Sequence, residues 1–416
     1  MTTAESVPAG VAAESPGGEV EPALAVALVT GGIDRPYAFG LTLALAARGV
    51  RVDLMGNAEL DGPEIRSLPT VAFRNLYGDI RQRTGLAKKV MRTLAVYAEM
   101  LRYPVTSRTR ILHILWNYKF QVFDRTVLML YYKLVGKKVV LTAHNVNTAA
   151  RDGQESWLNR WSLRQQYRFS DHIFVHTEPM KSELMQQFGI AAKKVTVIPF
   201  GVNNSVPDTE LTPADAKRRL GLRPEHKAIL FYGRIRQYKG LHLLVDAFLR
   251  LAARDPDYRL IIAGEPKKDS LAYWQEIWRT IDAASMSDRV IREARFIRDD
   301  ETEIFFKAAD VTVLPYTDVF QSGVLFLSYS FGLPVIAADV GSLREDIVAG
   351  ETGYVCRACD SEDLAQQTER YFASGLYRGL ERRRADIRDF VARRNSWDPV
   401  SAATIQVYRE LTAPRA

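Results

Sequence analysis

Gln321-Ser322-Gly323-Val324-Leu325-Phe326-Leu327-Ser328-Tyr329-Ser330-Phe331-Gly332-Leu333-Pro334-Val335-Ile336-Ala337 reads as a Ser-Gly turn, one apolar helix, a Gly-Leu-Pro stop and a short strand. Ser322 is suited to cap the helix, and Gly323 removes the side chain where the first amides emerge. Those amides, with the positive end of the helix dipole, suit an anion such as a pyrophosphate. Upstream, Gly233-Arg234-Ile235-Arg236-Gln237-Tyr238-Lys239-Gly240 is a basic loop that follows another strand-like run. Arg presents a fork to phosphate oxygens and Lys a compact charge, so the two segments point to one phosphate-handling site.

Outward from this segment, strand-like apolar runs alternate with helix-period segments along the chain. Front-half strands are expected over 24–29, 51–55, 111–115, 139–142, 172–175 and 195–198. Back-half strands are expected over 228–232, 259–263, 290–296, 311–314, 335–338 and 353–355. Such alternation implies α/β architecture with parallel sheets covered by helices on both faces. A chain of 416 residues is too long for one ordinary core, so two doubly wound domains are expected. Gly201, Asn203, Asn204, Pro207 and Asp208 mark the linker. The expected division is a flexible tail over 1–22, a front domain over 23–205 and a back domain over 206–396. A last helix within 397–412 is expected to return to the front domain. Ligands of such sheets bind at the carboxyl ends of the strands, so the cleft between domains is the expected active site.

Composition excludes several classes. The chain is 47% hydrophobic and 25% charged, ordinary for a globular protein. No apolar run reaches the ~18 residues of a membrane span. Met1 to Glu21 lacks a basic start and an apolar centre, so a cytoplasmic location is expected and not secretion. The two cysteines form one Cys356-x-x-Cys359 without a second ligand pair, which reads as two thiols at a strand end; no metal site is expected. The net charge of +7 is concentrated before Ser205. Arg81, Arg83, Lys88, Lys89, Arg92, Arg102, Arg108 and Arg110 stand against Glu99 alone, with Leu86, Val90, Leu94, Tyr97 and Leu101 at helical spacing. This segment is either an amphipathic helix on an anionic membrane or a surface helix packed on its own domain. Nucleic-acid motifs are missing.

Gly31-Gly32 follows the first strand without completing a G-x-G-x-x-G fingerprint; it serves a tight turn or a close ligand approach. His144 lies just beyond a strand end, where a ligand-facing polar side chain belongs, whereas His172 and His176 flank a strand and read as structural.

Together these segments resemble the GT-B glycosyltransferases, specifically the retaining enzymes of family 4. The markers are Gly31-Gly32, Leu141-Thr142-Ala143-His144-Asn145, Val197-Ile198-Pro199-Phe200-Gly201-Val202, Gly233-Arg234 with Lys239-Gly240, Ile261-Ile262-Ala263-Gly264 and the 322–337 segment. The resemblance implies a nucleotide diphosphate-sugar donor on the back domain, as co-substrate and with no cofactor. Arg234 and Lys239 match the diphosphate-binding pair, and Ser322, Gly323 and Val324 the donors to phosphate and sugar. His144 matches the front-domain histidine near the donor sugar. Gly31, Gly32 and Gly233 belong to the same site, and Glu265, Phe296 and Ile297 fall where the family holds the base. The family usually carries two glutamates where Val319 and Leu327 stand here; Asp318 is the nearest substitute for the first. Phe200 stands where an Asn is common.

The function implied is metal-independent transfer of a sugar from a nucleotide diphosphate to an acceptor hydroxyl with retention, in polysaccharide or glycolipid assembly. A saccharide or lipid-linked acceptor is expected on the front domain, with peripheral contact to an anionic membrane. Alternatives are a nucleotide-sugar epimerase or inverting transferase on the same fold, and a nucleotide-sugar-binding protein without turnover.

Overall fold

A computed structural model describes residues 24–32, 35–79, 85–151, 153–203 and 205–414. The expected tail, Arg81 and Arg83 of the basic segment and Asn204 of the linker lie outside the described residues.

Two parallel sheets carry the chain. The first joins β1 (Ala25–Val29), β2 (Arg51–Gly56), β3 (Val71–Asn75), β4 (Ile111–Ile114), β5 (Lys138–Thr142), β6 (His172–Val175) and β7 (Val195–Val197) in the order β3-β2-β1-β4-β5-β6-β7. The second joins β8 (Lys227–Tyr232), β9 (Tyr258–Ala263), β10 (Val290–Glu293), β11 (Val311–Leu314), β12 (Val335–Ala338) and β13 (Gly353–Cys356) in the order β10-β9-β8-β11-β12-β13. Central strands such as β4, β6, β11 and β12 are buried along their whole length, which explains their unbroken apolar runs. β3 was not anticipated from the sequence. It is an edge strand whose Ala72, Arg74 and Asn75 are exposed, so it shows no apolar run.

Each sheet reverses its strand order once, between β1 and β4 and between β8 and β11. Those switch points open crevices at the strand carboxyl ends, and Gly31-Gly32 and Gly233 sit just there. The last helix, Trp397–Thr412, returns to pack beside the helix Arg35–Ala47. It is tied to the first sheet through His113, whose ring contacts Tyr408 Oη at 2.5 Å and Thr142 Oγ1 at 2.7 Å.

Burial holds His113 down to about 3, and His144 likewise to about 3. Both rings are neutral in the fold, whereas the unfolded chain protonates them near the ordinary value of 6.5. Their stabilising contribution is therefore complete above pH 6.5 and is lost as the pH falls from there toward about 3. The slope is up to about 1.4 kcal/mol per pH unit for each ring. Denaturant unfolding near neutrality and near pH 5 measures it; equal midpoints would contradict the buried neutral histidines.

Candidate functional site

β8 ends at Tyr232 and passes into Gly233 with φ +99°. A Cβ there would lie 2.9 Å from Lys239 Nζ, so the missing side chain is what admits the ammonium. Lys239 closes the short turn Gln237–Lys239, and its Nζ lies 5.5 Å from the centre of the Tyr316 ring. Burial, then the charges of Arg234 and Arg151, lowers Lys239 from 10.5 to about 8. An ammonium held this way gains when an anion arrives beside it.

Opposite stands the helix Gly323–Ser330. Ser322 caps it, accepting the Val324 N–H at 3.3 Å, and its hydroxyl meets Tyr316 Oη at 3.3 Å. Lys239, Ser322, Gly323 and Val324 open into one cavity of about 400 Å³ between the two sheets. Phe296 and Ile297 form another wall, and the front half adds Tyr37, Asn145, Arg151 and Phe200. Arg151 reaches across the cleft, its guanidinium 4.1 Å from the Tyr238 ring centre.

Several expected residues lie elsewhere. Arg234 is exposed and outside the cavity lining, although its charge reaches Lys239 and Lys267. The Glu265 side chain is also exposed; its carbonyl accepts the Ile235 N–H at 3.0 Å and so aligns the loop. Asp318 is exposed and outside the lining; burial, and then the charge of Asp318, raises the carboxyl of Glu183 in the front half. Asp318 therefore does not replace the carboxylate missing at Val319. Val319 and Leu327 are buried in the cavity wall. Phe200 stacks on Phe326, with ring centres 5.5 Å apart at 10°, and its ring edge lies 3.7 Å from where a Cβ on Gly323 would stand. This wall is apolar at the two positions where the family usually carries glutamates.

Gly31, Gly32 and His144 line a second cavity of about 570 Å³ in the front half. Gly31 has φ +61°, and a Cβ there would sit 2.6 Å from the Asn117 carbonyl oxygen. His144 stacks on Trp116 at 4.9 Å and its Nδ1 meets His176 Nε2 at 3.0 Å. His176, read from sequence as merely structural, is thus the residue that orients His144. Asn145 lines both cavities, so His144 stands one residue from the junction between them.

Arg151 and Tyr316 were missed by sequence reasoning, and Asn145 was read only as part of the motif around His144. Arg151 ends a four-residue helix, Thr148–Arg151, and nothing local distinguishes it from a solvated arginine. Among the described residues no group of His, Cys, Asp or Glu is arranged to hold a metal ion. Cys356 is buried, its thiol pushed up to about 12, and Cys359 is exposed; both are free thiols. The interdomain cavity thus offers cations and helix amides to an anion.

Two families match the chain. Residues 31–206 match "Glycosyltransferase Family 4" and residues 226–374 match "Glycosyl transferases group 1". A D-inositol 3-phosphate glycosyltransferase of Streptomyces bingchenggensis is 31% identical over 249 residues, 58% of this chain and 53% of that protein, so this match spans about half of the relative. The protein of that name from Mycobacterium sp. (strain KMS) is 29% identical over 353 residues, 82% of this chain and 77% of that one. Among solved structures, sucrose-phosphate synthase from Thermosynechococcus elongatus superposes with TM-score 0.70 at 19% identity, covering 93% of this chain and 99% of that one. Anabaena HepE in complex with UDP and glucose gives 0.69 at 17% identity, covering 94% and 100%. At these identities the two structures speak to the fold alone.

Proposed function

Because the chain is a glycosyltransferase of the GT-B type, with a family 4 front half and a group 1 back half, we propose that it moves a sugar from a nucleotide diphosphate to an acceptor hydroxyl with retention. The observation that carries this reading is the shared cavity of Lys239 and Gly323. The diphosphate gains charge as the glycosidic bond breaks, and preorganised positive groups aimed at it lower the barrier. The acceptor oxygen bonds to the anomeric carbon on the face the phosphate leaves, and the departing phosphate oxygen takes the hydroxyl proton. His144, neutral and oriented by His176, is a hydrogen-bonding partner for the donor sugar and not a base. No cofactor is required beyond the nucleotide-sugar. Lys239 and Arg151 stand where a divalent cation would neutralise charge, so transfer is expected to survive a chelator.

The nucleotide side of this reading is tested by thermal shift with UDP-, GDP- and ADP-sugars, since a ligand that binds only the native form raises its stability. UDP-glucose is the first donor to try, because a structural neighbour was solved with it. A rise of several degrees with one base is the expected result. No shift with any of the three would remove the donor assignment.

The acceptor lies on the front half, in polysaccharide or glycolipid assembly, and the relatives' name makes a phosphorylated polyol the first class to test. A peripheral position on the inner face of the membrane is supported by the helix Leu86–Thr106. Its Val96, Met100 and Tyr103 face the core, while Leu86, Val90, Leu94 and Val105 form an exposed stripe beside Lys88 and Arg102. No described helix is long and apolar enough to cross a membrane. Co-sedimentation with vesicles of phosphatidylcholine and phosphatidylglycerol should fall as salt rises; binding indifferent to anionic lipid would exclude this location. A second reading, nucleotide-sugar binding without turnover, is favoured only by the apolar Val319 and Leu327. Nucleotide binding with no transfer across a broad acceptor panel would establish it.

A further inference from the structure

The front cavity contains a charge imbalance that the donor chemistry does not use. Two cations line it, Arg125 deep in the wall and Lys119 at the mouth, and no Asp or Glu does among the described residues. Arg125 sits in a π-helical turn, Asp124–Leu128, that interrupts the helical run from Gln121 to Leu134. Such a turn re-aims side chains and recurs at functional sites. The Arg125 Nη1 donates to Asn159 Oδ1 at 2.9 Å and to Ser162 Oγ at 3.5 Å, both neutral oxygens. Its Nε is buried and has no acceptor among the described residues. Asp124, the neighbouring carboxylate, is engaged elsewhere: it accepts Tyr97 Oη–H at 2.9 Å and the Tyr118 N–H at 2.8 Å. Lys119 donates to Thr93 Oγ1 at 2.9 Å and lies 5.2 Å from the Tyr118 ring centre, again without a carboxylate among the described residues.

A largely buried guanidinium with no carboxylate hydrogen-bonded to it is costly, because the charge of neighbouring Asp124 offsets the desolvation of the ion only in part. Burial lowers Arg125 from its ordinary value, yet an arginine stays charged at any physiological pH. The cavity is large enough for a polyol or sugar ring, with Trp116 and Tyr118 offering aromatic faces and Asn117 and Asn145 offering amides. We propose that Arg125 and Lys119 form an anion subsite, which seats a phosphate or similar group carried by the acceptor. This assignment rests on the glycosyltransferase reading for the word acceptor, but not for the anion. The planar fork of Arg125 matches a phosphate, and the group so held fixes which acceptor hydroxyl turns toward the Asn145 junction. The phosphate belongs either to a soluble ester or to a lipid headgroup.

The test uses inorganic phosphate, D-inositol 3-phosphate against free inositol, and phosphatidylcholine vesicles with and without phosphatidic acid. Each is added to the full chain at saturating UDP, so that the interdomain cavity is occupied. Phosphate should stabilise the wild type further and should do so equally in Lys239→Ala. Arg125→Gln should weaken the apparent phosphate affinity by about 30-fold or more, the scale for removing one partner of a buried charge pair. Lys119→Gln, an exposed change with little effect on folding, should weaken it by about two- to fivefold. UDP affinity should be unchanged in both. An Arg125-dependent response to the soluble esters assigns a soluble acceptor, and one confined to phosphatidic acid vesicles assigns a lipid. Equal responses in wild type, Arg125→Gln and Lys119→Gln, or no wild-type response to any anionic probe, would overturn the subsite. Failure of UDP to bind would instead remove the donor assignment and leave the phosphate response readable.

Discussion

Replacing Lys239 with Ala should lower kcat by on the order of 10²-fold, the scale for losing one preorganised contact to transition-state charge. The ammonium faces the cavity that also receives Gly323 and Val324; the Tyr316 ring lies beside it, and among the described residues no carboxylate pairs with it before the diphosphate forms. Its effect should therefore appear in kcat more than in KM, since the charge it meets grows during bond cleavage. A second signature follows from its titration. Lys239 is held at about 8, protonated below that value and neutral above it. kcat/KM should then decline above about pH 8, and Lys239→Arg should move that limb out of range because arginine stays charged. Arg234→Ala, by contrast, removes an exposed rim charge and should cost about tenfold or less. Kinetics showing Arg234 to matter more than Lys239 would reverse this assignment.

The largest effect on stability is expected at Trp397. Trp397→Ala should cost about 3–5 kcal/mol, the range for emptying a buried aromatic site. The indole is 8% exposed and donates Nε1–H to the Val202 carbonyl at 2.9 Å. It lies so close over Gly40 and Gly201 that a Cβ would meet ring atoms at 2.2 Å and 2.5 Å respectively. Tyr37 packs on its edge with ring centres 5.1 Å apart. One side chain thus joins the returning helix, the helix of Arg35–Ala47 and the irregular segment that follows β7. Alanine leaves a cavity and an unpaired carbonyl together. Urea unfolding followed by near-ultraviolet circular dichroism measures the loss. A midpoint within error of wild type would show that the last helix is held by Tyr408 and His113 instead.

The parallel α/β architecture was legible because buried central strands must be apolar throughout, and β8, β11 and β12 announce themselves as such runs. β3 was hidden for the opposite reason: as an edge, it alternates Val71 and Phe73 with exposed residues and looks like a loop. The anion-ready helix at Ser322 was legible too, since capping is a contract between near neighbours in the chain. Which cation of the Gly233–Gly240 loop turns inward was not. Arg234 and Lys239 are equally basic in sequence, and only the left-handed Gly233 together with the turn at Gln237–Lys239 sends the lysine into the cavity and leaves the arginine in solvent.

From its sequence alone this protein was determined to the level of period and local geometry: which runs become strands, where a helix begins, where glycine must admit a turn or a ligand. These depend on hydrogen bonds and steric limits acting over a few residues. The approach of Arg151 to Tyr238, the clasp of His176 on His144, the apolar wall of Phe200, Val319 and Leu327, and the unbonded Nε of Arg125 were decided only by the tertiary structure. Each depends on what stands opposite, and burial with its cost to an unpaired charge does not exist until distant segments have met.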